Sequence, residues 1–306
     1  MRILVTGISG QVGGALLPRL KAFGTIIPHD EFTLDFTKPE SIPGALDRDA
    51  PDLIINSAAY TAVDKAEGEP ELAMQINSEA PGVIARWAAN RSVPLIHFST
   101  DYVYDGRGKR AWREDDEARP LSVYGKTKLA GDNAIRSAGG SFLIFRTCWV
   151  YAAQGRNFLR AIGRLAQEKK ELRVVNDQIG APTSAALIAD VVASVIARGS
   201  DRLGELSDQA DGVVHLCGSG ETSWYGFATA IVEGLKTRRV RLAVENIVPI
   251  RTNEFLIRAE RPLNSRLDLG RLKEVFGIVP PQWEAALAPE LDKLAQDFGS
   301  AKLFAS

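Results

Sequence analysis

Tyr124 and Lys128 stand four residues apart in Tyr124-Gly125-Lys126-Thr127-Lys128. On a helix that spacing puts both on one face, one turn apart. A phenol beside an ammonium suits carbonyl reduction, which needs a hydride source and a proton donor at the forming alkoxide. A free tyrosine is a poor acid at neutral pH, with a pKa of about 10. A cation held close favours the phenolate and lowers that value; reaching neutrality would take about 4 kcal/mol, which a partly desolvated site can supply. Thr100 ends the apolar run His97-Phe98-Ser99-Thr100. That places its hydroxyl at the carboxyl edge of a strand, where it can hold a substrate carbonyl beside Tyr124.

A hydride donor needs its own cradle, and Thr6-Gly7-Ile8-Ser9-Gly10-Gln11-Val12-Gly13 has the composition of one. Gly7 permits a tight turn, Gly10 lets a pyrophosphate approach the backbone, and Gly13 lets helix and strand pack closely. The free N–H groups of the following helix then face the phosphates. Asp30 follows the second apolar run, 17 residues beyond Gly13. A carboxylate there can accept from an adenosine ribose hydroxyl and repels a 2′-phosphate, so the expected cofactor is NADH or NADPH, with Asp30 leaning towards NADH.

These groups need a scaffold that brings strand ends together. Short apolar runs at 3–5, 25–27, 53–56, 94–99 and 142–146 alternate with helical patterns at 12–23, 39–49, 72–90 and 123–137. Strands so short, separated by helices, predict a parallel sheet covered on both faces, the doubly wound α/β arrangement of the Rossmann type. After Trp149 the rhythm changes: helices are expected at 157–169 and 185–198 and strands at 172–175 and 213–217. Gly199–Asp211 reads as a polar surface loop. From about Glu221 the pattern is two or three helices separated by Pro-containing loops such as Ile247-Val248-Pro249. A Rossmann domain over 1–148 and about 171–220 is therefore expected, with a smaller C-terminal substrate-binding lobe over about 149–170 and 221–306. Gly218-Ser219-Gly220-Glu221-Thr222-Ser223 lacks the Lys-Ser/Thr of a phosphate loop and reads as a helix N-cap.

Composition excludes several classes. The 306 residues carry 37 basic and 38 acidic side chains, a net charge of −1, without the basic block of a nucleic-acid binder. Cys148 and Cys217 are too few for a disulfide framework, and neither they nor His29, His97 and His215 show metal-ligand spacing, so no metal is expected. No run approaches the roughly 20 apolar residues that cross a bilayer, and no leader pattern opens the chain, so a cytoplasmic location without membrane partners is expected.

The TGxxGxxG turn, the strand-end hydroxyl and the YxxxK pair together resemble the extended short-chain dehydrogenase/reductases. Longer segments are similar to the dTDP-4-dehydrorhamnose reductase family: 58–67 (AAYTAVDKAE), 99–104 (STDYVY), 123–131 (VYGKTKLAG), 146–151 (RTCWVY), 176–183 (NDQIGAPT) and 261–267 (RPLNSRL). The resemblance spans nearly the whole chain. It implies NAD(P)H-dependent reduction of the C4 keto group of a dTDP-linked 4-keto sugar, dTDP-4-dehydro-L-rhamnose, to dTDP-L-rhamnose. It implies Tyr124 as proton donor, Lys128 on the nicotinamide ribose, Thr100 and Asp101 on the sugar, and Trp149 lining the sugar pocket. Gly10, Gln11 and Val12 would cradle the pyrophosphate, Asp30 would meet the ribose, Asp35 and Phe36 would flank the adenine, and Ala59, Tyr60 and Thr61 would line the groove after the third strand. Two positions depart from the family pattern. Ala15 and Ala186 stand where some members carry the carboxylates of a metal-bridged dimer, which implies a monomer or weak homodimer without that bridge. Tyr60 replaces the family's usual histidine. Two other readings share these motifs: a non-catalytic dinucleotide-binding regulatory subunit resembling that of methionine adenosyltransferase, and a sugar-nucleotide epimerase or dehydratase of the same superfamily. The 177–183 and 264–267 segments suit sugar-nucleotide binding and favour the reductase over the regulatory subunit, whereas an epimerase would differ in needing no added NAD(P)H.

Overall fold

The computed structural model describes residues 1–199, 202–255 and 258–303, with side chains to Phe298. Six parallel strands form the main sheet: β1 (Arg2–Thr6), β2 (Thr25–His29), β3 (Leu53–Asn56), β4 (Leu95–Thr100), β5 (Phe142–Thr147) and Val213–His215. Their spatial order is β2, β1, β3, β4, β5, Val213–His215, so the chain reverses its direction of travel at β1 and β3. In such sheets the crevice for a ligand opens beyond the carboxyl ends of the two strands flanking that reversal.

Successive side chains on a strand point to opposite faces, and both faces here are covered. Ile3, Val5, Leu53, Ile55, Ile96 and Phe98 pack against helix α1 (Gln11–Leu20) and the helix Ala185–Ile196. Leu4, Ile54, Leu95 and Ile144 face the helices Ile42–Asp49, Ala80–Asn90 and Val123–Ala138. Double coverage explains why these strands read as unbroken apolar runs.

A separate core forms around Tyr151, Leu159, Phe227, Trp283 and Leu291, from the helices Phe158–Glu168, Trp224–Thr237 and Trp283–Leu303. The strand Glu171–Val175 lies here, outside the main sheet, paired in parallel with Asn246–Ile250. That partner corrects the expected loop at 247–249. Pro249 sits in a two-stranded sheet, where a missing N–H is tolerated at an edge. Gly199–Asp211 is also corrected: Leu203–Gln209 is a helix whose Leu203 and Leu206 are buried against the main core, while 200 and 201 lie outside the described residues. A three-stranded sheet joins the 176–183 and 264–267 segments, with Ile179–Gly180 between Thr222–Ser223 and Asn264–Ser265. Ser223 then caps the next helix, its hydroxyl accepting from Gly226 N at 3.0 Å.

Candidate active site

The glycine turn lies at the sheet reversal. Gly7 adopts a φ of +66°, and a Cβ there would come within 2.7 Å of the Ala58 backbone in the loop after β3. A Cβ on Gly13 would fall 2.2 Å from the Gly7 carbonyl oxygen. Gly10 is the N-cap of α1 and supplies no side chain to its first N–H groups, which leaves them for an anion. Gln11 accepts from Asn157 Nδ2 at 2.8 Å, tying the turn to the lobe, and Val12 packs partly into the core. The residues therefore fit a dinucleotide: two backbones meet where only hydrogen atoms can stand between them.

Asp30 sits at the exit of β2 and is already employed. Its Oδ1 accepts from Phe32 N at 3.1 Å, Thr33 N at 3.0 Å and Thr33 Oγ1 at 2.9 Å, and these bonds, the Thr33 hydroxyl first, lower its pKa. Oδ2 makes no hydrogen bond within the protein among the described residues. Glu31 adds a second carboxylate nearby by accepting from Ser9 Oγ, 2.7 Å away in the turn. Asp35 closes its own turn onto Thr37 and pairs with Lys38 at 3.4 Å, whereas Phe36 is buried in the core beneath.

The loop after β3 holds Ala59 and Tyr60 half-buried and Thr61 exposed. Tyr60 donates its hydroxyl to Glu69 Oε2 at 2.5 Å; burial, then that carboxylate, push its pKa up to about 12. Its backbone is pinned by the buried Asn77 amide, which accepts from Tyr60 N at 2.8 Å and donates to Tyr60 O at 3.0 Å. Asn77 Nδ2 also reaches Thr127 Oγ1 at 3.1 Å, so one side chain locks the loop to the helix carrying Tyr124 and Lys128.

That helix begins at Val123, with the Ser122 hydroxyl accepting from Gly125 N at 3.2 Å and Glu67 accepting from Val123 N at 2.8 Å. Thr100 closes β4, its Oγ1 accepting from Tyr102 N at 3.2 Å and donating to Asp101 Oδ1 at 3.0 Å. Asp101 is 2% exposed, and among the described residues its Oδ2 has no hydrogen-bond partner. Burial pushes its carboxyl up to about 6, against the opposing hydroxyls of Ser265 and Thr100. Lys128 is equally buried: Nζ donates to Phe98 O at 2.7 Å and lies 3.2 Å from His97 Nε2. Burial pulls its pKa down to about 8, with Asp132 acting the other way.

The lysine does not acidify the phenol in this arrangement. Burial first, then the Asp101 charge, raise Tyr124 above the usual tyrosine value, and the Thr100 hydroxyl opposes them. The expected lowering fails because the ammonium is directed to Phe98 and His97, while the charge felt by the phenol is a carboxylate. Tyr102 crosses Tyr124 edge to face, with ring centroids 5.5 Å apart. Trp149 has a φ of +48° and stacks on Trp224 at 3.7 Å. A Cβ on Gly180 would lie 2.8 Å from the Trp149 ring.

A family model described as the RmlD substrate binding domain matches residues 1–296. The chain belongs to this family. Its relatives include the dTDP-4-dehydrorhamnose reductases of Escherichia coli (strain K12), 41% identical over 298 residues (96% of this chain, 98% of the relative), and of Burkholderia thailandensis, 43% over 289 residues (94% and 97%). Among solved structures, a dTDP-4-dehydrorhamnose reductase from Clostridium acetobutylicum superposes with a TM-score of 0.87 at 36% identity, covering 96% of this chain and 99% of that one. The Bacillus anthracis enzyme in complex with NADP gives 0.85 at 31% identity (95% and 99%).

The parallel sheet is a fold of the NAD(P)-binding type, and its family makes this protein an oxidoreductase. Several residues of the site were not legible in the sequence. Asn77 lies in a single π-helical segment, Gln75–Glu79, a geometry without sequence periodicity of its own that recurs at functional sites. His97 and Ser265 become site residues only through tertiary contact. Ala15 and Ala186 carry no ligand atoms, and among the described residues no group of three His, Cys, Asp or Glu could hold a metal. No described helix is long and apolar enough to cross a membrane.

Proposed function

We propose that this protein reduces the C4 keto group of dTDP-4-dehydro-L-rhamnose to give dTDP-L-rhamnose. The observation that carries the reading is the meeting of Thr100, Tyr124 and Lys128 at the carboxyl end of β4, with α1, whose N-cap Gly10 offers its first N–H groups no side-chain partner, at the sheet reversal. When bound, the reduced nicotinamide supplies the hydride. Tyr124 supplies the proton. Its raised pKa keeps the phenol protonated at neutral pH, and an alkoxide is basic enough to take that proton. Thr100 and Asp101 orient the sugar, Lys128 holds the nicotinamide ribose, and Trp149 walls the sugar pocket. Gly10, Gln11 and Val12 cradle the pyrophosphate, with Gly7 making the tight turn and Gly13 the close packing behind it; Ala59, Tyr60 and Thr61 line the groove; Asp35 lies towards the adenine, with Phe36 supporting it from the core.

The domain division is a Rossmann domain over 1–148 and about 176–220 and a substrate lobe over about 149–175 and 221–306, which moves the strand Glu171–Val175 from the expected Rossmann domain to the lobe in whose core it packs. A monomer or weak homodimer without a metal bridge accords with Ala15 and Ala186, and the expected place of action is the cytoplasm. The cofactor is NADH or NADPH, with Asp30 at the β2 exit leaning towards NADH and Glu31 adding a second carboxylate nearby.

The test follows cofactor absorbance with enzymatically prepared dTDP-4-dehydro-L-rhamnose. Stoichiometric oxidation is expected, with Tyr124→Phe binding cofactor normally and turning over at least about a hundredfold more slowly. Silence with both cofactors would overturn the reading, and turnover without net cofactor consumption would favour an epimerase.

A further inference from the structure

Asn157 stands where the lobe meets the glycine turn. It is the N-cap of the helix Phe158–Glu168, its Oδ1 accepting from Arg160 N at 3.1 Å. Its Nδ2 lies 2.8 Å from Gln11 Oε1, 2.8 Å from Ala152 O and 2.9 Å from Gln154 O. The loop that carries it is anchored independently. Ala153 N donates to the buried Glu290 carboxylate at 2.6 Å, and Arg160 Nη1 donates to Ala153 O. Gly155 of the same loop lies so near the turn that a Cβ there would stand 3.4 Å from Gln11 Cγ.

Donor and acceptor counting fixes both amides. A backbone N–H on one side and two backbone carbonyls on the other leave Asn157 a single orientation, with its oxygen towards Arg160 and its NH2 towards Ala152 and Gln154. Reversed, it would set an oxygen against two carbonyl oxygens and an NH2 against an N–H. An NH2 therefore faces Gln11, and Gln11 must answer with its carbonyl. The two Asn157 hydrogens serve three acceptors by sharing, as bifurcated bonds do. What remains of the Gln11 side chain is its own NH2, which meets no acceptor among the described residues. Gln11 opens α1 beside Gly10, where an anion meets the first turn of the helix.

We propose that Asn157 is a positioning residue for the dinucleotide: from the substrate lobe it holds the Gln11 carbonyl, so that the Gln11 NH2 is the end left free to donate to the pyrophosphate. A solvated glutamine amide turns freely and presents its oxygen to an anion as readily as its nitrogen. Ordering it when the ligand arrives costs affinity, and an amide oriented beforehand escapes that cost. The inference rests on the cofactor role proposed above for Gln11, and is independent of which sugar is reduced.

Fluorescence titration of NADH and NADPH in the absence of sugar tests it. Asn157→Ser keeps a hydroxyl to cap the helix but is too short to reach Gln11. Its cofactor Kd is expected to rise about five- to tenfold, with kcat at saturating cofactor within about twofold of wild type. Gln11→Glu still accepts from Asn157 but turns a carboxylate oxygen to the phosphates in place of the NH2, and should lose at least about thirtyfold in affinity. Gln11→Met removes both ends, so adding Asn157→Ser to it should change Kd by less than about twofold. An equal loss from Asn157→Ser in both backgrounds would mean that Asn157 acts through its loop alone, and would overturn the proposal. Wild-type affinity in Asn157→Ser would overturn it too; if that variant does not fold, wild-type affinity in Gln11→Glu does so instead. Weak binding by Gln11→Met beside normal binding by Asn157→Ser would leave the cofactor role of Gln11 standing without its positioner. Failure to turn over dTDP-4-dehydro-L-rhamnose would sink the reductase reading and leave these affinities as they are.

Discussion

Asp132 and Arg146 form an ion pair with Nε to Oδ2 at 3.1 Å and both side chains at most 6% exposed, one helical turn beyond Lys128. Arg146 also donates to Tyr104 Oη at 2.9 Å, and that hydroxyl meets His215 Nε2 at 2.7 Å. The network braces the far end of the Tyr–Lys helix against β5 and the strand Val213–His215.

Asp132→Asn leaves Arg146 charged and unpaired in the interior. Removing one partner of a buried pair costs about 3–5 kcal/mol, so a large drop in the urea midpoint is expected. Asp132 also raises the pKa of Lys128. Without it the ammonium loses its proton at lower pH, and the alkaline limb of kcat/KM moves towards acid. A destabilised variant with an unmoved limb would show that Asp132 acts on the fold alone.

Asp101 couples the site to stability with a definite sign. Its folded carboxyl titrates at about 6 rather than 3.8, so between those values the folded protein keeps a proton that the unfolded chain has released. Stability therefore falls as pH rises through that window. The loss is complete above about pH 6 and amounts to about 3 kcal/mol. Asp101→Asn carries no such proton, so its stability relative to wild type should rise by about 1–3 kcal/mol between about pH 4 and pH 7. Urea titrations at both values measure it, and a constant difference would mean the carboxylate is well solvated when folded.

Gly13 tests the cradle without touching the chemistry. A methyl at this position meets the Gly7 carbonyl oxygen at 2.2 Å, and that oxygen belongs to the turn. Gly13→Ala must displace backbone, so cofactor affinity should fall by at least about tenfold, with a stability loss of about 1–3 kcal/mol. Gly14 on the next position offers the control, since its nearest atom stands at 3.4 Å and Gly14→Ala should bind nearly normally. Equal affinities for the two variants would remove the close-approach argument.

These predictions draw on parts of the protein that differ in how openly the sequence displays them. The glycine turn, the strand-end Thr100 and the Tyr124–Lys128 pair are local patterns, and their spacing carries their geometry. The helix Leu203–Gln209 offers only Leu203 and Leu206 as apolar points, too few to establish a period, and Pro249 disguises a strand as a break. Asn77 and His97 act through partners 17 to 50 residues away, as in Asn77 to Tyr60 and Thr127. The direction of the Tyr124 pKa is hidden for the same reason: one-dimensional spacing places Lys128 beside the phenol but says nothing of Phe98, His97 or Asp101.

Asp30 separates charge from architecture in the choice of cofactor. Its Oδ1 holds the turn to Phe32 and Thr33, and an asparagine can keep that acceptor while losing the negative charge. Asp30→Asn should therefore leave the loop intact and remove one of two carboxylates that repel a 2′-phosphate, the other being Glu31. The ratio of kcat/KM for NADPH to that for NADH is expected to rise by about five- to tenfold, mostly through KM for NADPH. Asp30→Ala breaks the turn as well, so affinity for both cofactors should fall together. A ratio unchanged in Asp30→Asn would place the 2′ position away from β2 and take Asp30 out of the cofactor site.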